Sequence, residues 1–112
     1  MRKETRRALG RLANLRKLEQ NQRRAALAAA GVEHERLKAA VVALLAELAD
    51  PPAEVQTNYL LLLAHGDDLE GRLRETREDL ARAAADLERL QQETLRARGE
   101  LALLDRVTSK DT

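Results

Sequence analysis

The chain has 112 residues, of which 44% are hydrophobic, 35% charged and 1% aromatic, with no Cys. That length allows one small domain, and the near-absence of rings argues against a globular core, because aromatic side chains dominate buried area in compact domains. Without cysteine there is no disulfide framework and no thiolate metal site. The net charge of +1 conceals an uneven distribution: residues 1–24 carry nine bases and two acids, residues 51–93 five bases and ten acids. Both chain ends are basic and the middle is acidic.

The longest apolar runs, Ala39–Ala46 and Tyr59–Ala64, fall far short of the ~20 residues that cross a bilayer. The N-terminal segment alternates Arg and Leu and does not lead into the apolar core of a signal peptide. A soluble, cytoplasmic protein is expected.

The first periodic segment predicts a helix over about residues 4–49. Its stripe opens on Leu9, Leu12, Leu15 and Leu18 and continues through Gln22, Ala26, Ala30, Leu37, Val41, Leu44 and Leu48. Ala25–Ala30 favours helix, while Gly31 costs roughly 1 kcal/mol against Ala and allows a kink. Asp50-Pro51-Pro52 stops this helix, since the residue before a proline is pushed out of the α region and proline lacks an N–H. The turn is expected at about 50–53, with Asp50 as N-cap and Pro51 as first residue of the next helix.

The second helix is expected over about 54–107, followed by a short disordered tail. From Val55 to Leu104 a 4,3,4,3 spacing selects fifteen positions, twelve of them apolar; Gly66, Thr76 and Thr94 are the exceptions. A sustained 3.5-residue repeat is the mark of a coiled-coil seam. His65-Gly66-Asp67-Asp68 could start a new helix, since Asp67 with Glu70 resembles a capping box, but the unbroken phase allows a bend at most. The expected fold is therefore all-α: two long helices joined by a short turn into an antiparallel coiled-coil hairpin. In it, facing residues have numbers summing to about 103, which lays Arg11–Arg24 along Asp79–Gln92.

Such a rod buries little surface per residue and should gain stability from a partner. Leu60, Leu61 and Leu63 surround Leu62 and, with Val42 and Leu45, exceed what one seam needs. They read as a docking patch, or alternatively as a thicker local core or a dimer contact. His34 and His65 are isolated, and Asp67-Asp68-x-Glu70 lacks the spacing of a calcium loop. No nucleophile grouping or phosphate-binding glycine loop is present; no enzyme activity, cofactor or metal is expected. The basic end raises nucleic acid or an anionic membrane as ligand, but no aromatic side chains interleave to stack bases, and facing acids would neutralise much of the field.

Three segments resemble the flagellar export stalk family FliJ and its type III secretion counterparts. Leu9–Glu19, with spaced Leu and Lys/Arg, resembles that family's opening; Asn58–Leu63 resembles the aromatic and apolar start of its second helix; and Leu95–Arg106 is similar to its basic, Leu-rich finish. The chain is shorter than is usual there and lacks the Trp often found in the second helix. The resemblance implies a non-catalytic rod at the centre of a hexameric export ATPase ring, contacting the export gate and escorting export chaperones, in the cytoplasm or peripherally at the inner membrane face. On that reading Arg6, Arg7, Arg11, Arg16 and Lys17, with Arg96, Arg98 and Arg106, meet the ATPase, and Leu60, Leu61 and Leu63 meet the gate. Rival readings are a self-associating coiled-coil scaffold, a homodimer forming four helices, and a nucleic-acid or anionic-membrane binder acting through the basic end.

Overall fold

A computed structural model of the chain describes residues 2–109. It is all-α: helix accounts for 94% of it, and no strand occurs among the described residues. The elements are α1 (Lys3–Ala49), α2 (Ala53–Gln56) and α3 (Tyr59–Ser109). Helix α1 continues through Gly31 and α3 through Gly66 without interruption. Expected tail positions Thr108 and Ser109 are helical, and the remainder of that tail lies outside the described residues.

The connection differs from expectation. Asp50 does not cap the second helix; its N–H bonds to the Ala46 carbonyl at 3.0 Å and completes α1. Pro51 and Pro52 then supply no donor. Pro52, extended at φ −56° and ψ 148°, is the N-cap of α2 and accepts the Val55 and Gln56 N–H groups at 3.0 and 3.1 Å. The Gln56 side-chain amide donates to the Pro51 carbonyl. No continuous helix starts at 54, because Asn58 leaves the ladder and caps α3. Its Oδ1 accepts the Leu60 and Leu61 N–H groups at 3.0 and 3.3 Å, satisfying donors that the first turn of a helix otherwise leaves without partners.

The chain packs as two compact units. The turn unit, Ala30–Asp86, has its core at Leu44, Leu69 and Leu73, flanked by Val41 and Leu48. Along α3 the repeat Leu62, Gly66, Leu69, Leu73, Thr76, Leu80, Ala83 is buried or half-buried, as are Ala30, His34, Leu37, Val41, Leu44 and Leu48 along α1. Tyr59, placed in the seam by the sequence, is exposed, because α3 begins there and its first turn carries no facing partner. A register sum of 103 would set Tyr59 opposite Leu44; Leu69 and Leu73 are there instead. The extra turn α2 and the exposed first turn of α3 make the connection longer than a two-proline turn, so the facing residues lie further along α3.

The terminal unit combines residues through Ala29 with those from Leu87 onward. Here Leu87, Leu90, Thr94, Ala97, Leu101, Leu104 and Thr108 continue the repeat. The expected stripe on α1 holds at Leu9 and Leu12, which are half-buried, and is corrected beyond them: Ala13, Arg16, Gln20, Arg23 and Leu27 are buried or half-buried, while Leu15, Leu18, Gln22 and Ala26 are exposed. Leucines three residues apart drift by about 60° per step around a helix of 3.6 residues per turn, so Leu9 and Leu18 cannot share a face. Nor do Arg11–Arg24 lie along Asp79–Gln92. Arg16 lines a hollow with Leu12, Glu100, Leu103 and Leu104, and Arg23 lines one with Glu93, Arg96, Ala97 and Glu100.

Candidate functional site

Two surfaces carry the residues singled out by the sequence. All eight basic candidates fall in the terminal unit. Arg6, Arg7, Arg11, Lys17, Arg96, Arg98 and Arg106 are exposed there, while Arg16 is half-buried and donates to Glu19 at 2.9 Å. Arg16 thus fills a seam position and spends part of its hydrogen-bonding capacity within its own helix, as an i,i+3 pair does. Arg6 and Lys17 line a polar hollow with Gly10, Asn14, Asp105 and Thr108. Among the described residues Arg6, Arg7, Lys17, Arg24 and Arg98 form no ion pair. Their charges are therefore open to an external anion.

The terminal unit is also more apolar at its surface than its charge suggests. Leu15, Leu18, Leu95, Leu103 and Val107 are exposed, and one hollow brings Leu12, Leu103 and Leu104 together beside Arg16. The reading of Leu15 and Leu18 as seam residues hid this. Extending the 3.5-residue repeat back from Leu44 and Leu27 through Arg23 and Gln20 would have revealed it.

In the turn unit Leu60 is 75% exposed, and Leu61 and Leu63 are about half exposed, whereas Leu62 between them is half-buried. Tyr59, Val42 and Leu45 add to the uncovered apolar surface. Its setting is acidic: between Lys38 and Arg72 the sequence has six acids (Glu47, Asp50, Glu54, Asp67, Asp68, Glu70) and neither Lys nor Arg. Summed over each unit, the formal charge is +7 for the terminal unit and −6 for the turn unit.

No family model, curated protein or solved structure matches the chain.

The histidines belong to the packing. His65 Nε2 is buried without a hydrogen bond, 3.9 Å from a Glu47 carboxylate, and His34 is half-buried in the seam beside Glu35. Among the described residues no three His, Cys, Asp or Glu side chains gather as metal ligands, and no helix is long and apolar enough to cross a membrane.

Proposed function

We propose that this chain is a non-catalytic adaptor of a flagellar or type III protein-export apparatus, a cytoplasmic stalk that docks on the export ATPase through its terminal unit and on the export gate through its turn unit. In this reading α1 and α3 form an antiparallel coiled-coil hairpin. Support comes from the order of neighbours within each unit. Arg16 adjoins Glu100 and Leu103, Arg23 adjoins Glu93, and Leu27 adjoins Gln91; Leu44 meets Leu69, while the later Glu47 meets the earlier His65.

The observation that carries the reading is the division of surface chemistry. One unit offers unpaired Arg and Lys around exposed leucines; the other offers exposed leucines within residues 39–71, a stretch that holds acids but neither Lys nor Arg. Charge sorted in this way suits two different partners, and the resemblance of Leu9–Glu19, Asn58–Leu63 and Leu95–Arg106 to the export stalk family names them.

The test mixes the purified chain with the host's type III export ATPase and follows ring assembly by light scattering and ATP hydrolysis. The wild type should promote both, and Arg7→Glu with Arg11→Glu should abolish the effect while leaving helicity intact. No effect of the wild type on either readout overturns the export reading.

A further inference from the structure

The two surfaces complement each other. In the turn unit, exposed Val42, Leu45 and Leu63 and the acids Asp67 and Glu70 each follow a seam residue by one place (Val41, Leu44, Leu62, Gly66 and Leu69). They therefore line one flank of their helices, and over residues 39–71 that flank has no Lys or Arg; farther from the turn it carries Glu35, Lys38, Arg74 and Arg77. In the terminal unit Lys17, Arg24 and Arg98 follow Arg16, Arg23 and Ala97 in the same way, and exposed Leu95 follows Thr94. Over residues 14–28 and 91–102 the equivalent flank is basic with an apolar centre; beyond them it also carries Glu88 and Asp105.

We propose that the turn unit docks on the terminal unit of a second copy of this chain, each copy offering both surfaces. Charge decides the choice of occupant. A turn unit at −6 attracts the terminal unit at +7 and repels another turn unit, so the favoured contact joins unlike units. Asp67, Glu70, Lys17, Arg24 and Arg98 form no ion pair within their own chain among the described residues, which leaves them to pair across the contact. The leucines on the same flanks lose water as the charges meet. The inference is independent of the export reading: self-association would cover both docking surfaces until a partner displaces the second copy.

Sedimentation velocity across protein concentration tests it with the full chain. The wild type should associate, and its affinity should fall about tenfold or more between about 50 and 500 mM salt as charges are screened. Lys17→Glu with Arg24→Glu should weaken association, as should Asp67→Lys with Glu70→Lys, because each sets like charges against one another across the contact. An equimolar mixture of the two swapped chains should associate again. Association that salt leaves unchanged, swapped chains that associate as the wild type does, or a mixture that stays monomeric while both remain helical would overturn the proposal. So would a wild type that is monomeric throughout, including one that instead binds anionic vesicles. Should a swapped chain lose helicity, Leu45→Ser with Leu63→Ser, which alters only exposed positions, decides in its place: weakened association supports the contact and unaltered association overturns it.

Discussion

Leu44 of α1 packs against Leu69 of α3, and Leu69 retains 0% of its exposure, the largest side chain of the described residues to be fully enclosed. Replacing it with Ala removes apolar burial and leaves a void that neighbours fill only in part. Large-to-small changes of this kind cost about 2–5 kcal/mol. The lower part of that range is expected, because Val41 and Leu48 beside it are only partly buried and can relax inward. Thermal unfolding followed by circular dichroism should show a clear loss for Leu69→Ala. Leu103→Ala, at an exposed position, should change stability by no more than about 0.5 kcal/mol.

In the terminal unit the seam is polar where the turn unit's is apolar. Gln20 is 4% exposed and its Oε1 has no hydrogen-bond partner. Thr94, likewise buried, satisfies its hydroxyl on the Leu90 carbonyl at 2.7 Å. A buried acceptor left unpaired costs about 1–3 kcal/mol, so Gln20→Leu should raise the urea midpoint at unchanged slope. A polar seam residue also restricts register. The stabilised variant should accordingly show broader amide signals from Leu90–Leu101 if alternative alignments become populated.

Glu33 and Arg36 form a two-bond pair at 2.5 and 2.9 Å on the exposed face of α1. The hydrogen bond from Arg36 holds the Glu33 carboxyl below its ordinary range, and the same bond raises the Arg36 guanidinium. Because the native carboxyl is lowered, its contribution is present above the unfolded value and is lost as pH falls through the native one. Solvent screening keeps that contribution small. Carbon-detected NMR titration should place the Glu33 midpoint lower in the wild type than in Arg36→Gln.

Gly31 and Gly66 sit within long helices at half-buried positions, and a Cβ at either would meet nothing within 4 Å. Neither adopts positive φ, so the helical backbone there suits any L-residue. Ala removes unfolded-state freedom at no steric cost, and each substitution should stabilise by about 1 kcal/mol. Additive gains in melting temperature for the double variant are the expected readout, since the two sites lie on different helices.

The seam of α3 was legible because Leu62, Leu69, Leu73, Leu80, Leu87, Leu90, Leu101 and Leu104 keep one spacing, and Gly66, Thr76 and Thr94 fall into phase with them. The first helix was legible along its whole length, but its buried face, Leu9 and Leu12 apart, only from Ala30 onward. Before that, Arg16, Gln20 and Arg23 hold seam positions while Leu15 and Leu18 face out, so hydrophobicity alone pointed to the wrong face. Long Arg stems can cover apolar surface while their guanidinium reaches water, which is how such residues come to sit in a two-helix seam. Exposure of Leu60, Leu61 and Leu63 followed from crowding: successive leucines encircle a helix, and one seam can shelter only one of them.

Asn58 carries a start signal that the two prolines before it mask. It is a preferred N-cap residue standing directly before an apolar run, and its Oδ1 holds the Leu60 and Leu61 amides. The Leu62 N–H closes the first full turn on its backbone carbonyl at 2.9 Å. Asn58→Ala would leave those two donors to water and should cost about 0.5–2 kcal/mol. The loss should be local at first: hydrogen exchange at Leu60 and Leu61 should quicken while Leu69 stays protected. Asn58→Asp should restore slow exchange, because a carboxylate accepts the same bonds and also favours the positive end of the helix dipole. Equal exchange at Leu60 in all three chains would mean that α3 starts independently of this cap, and that the leucines of the docking surface are held by packing alone.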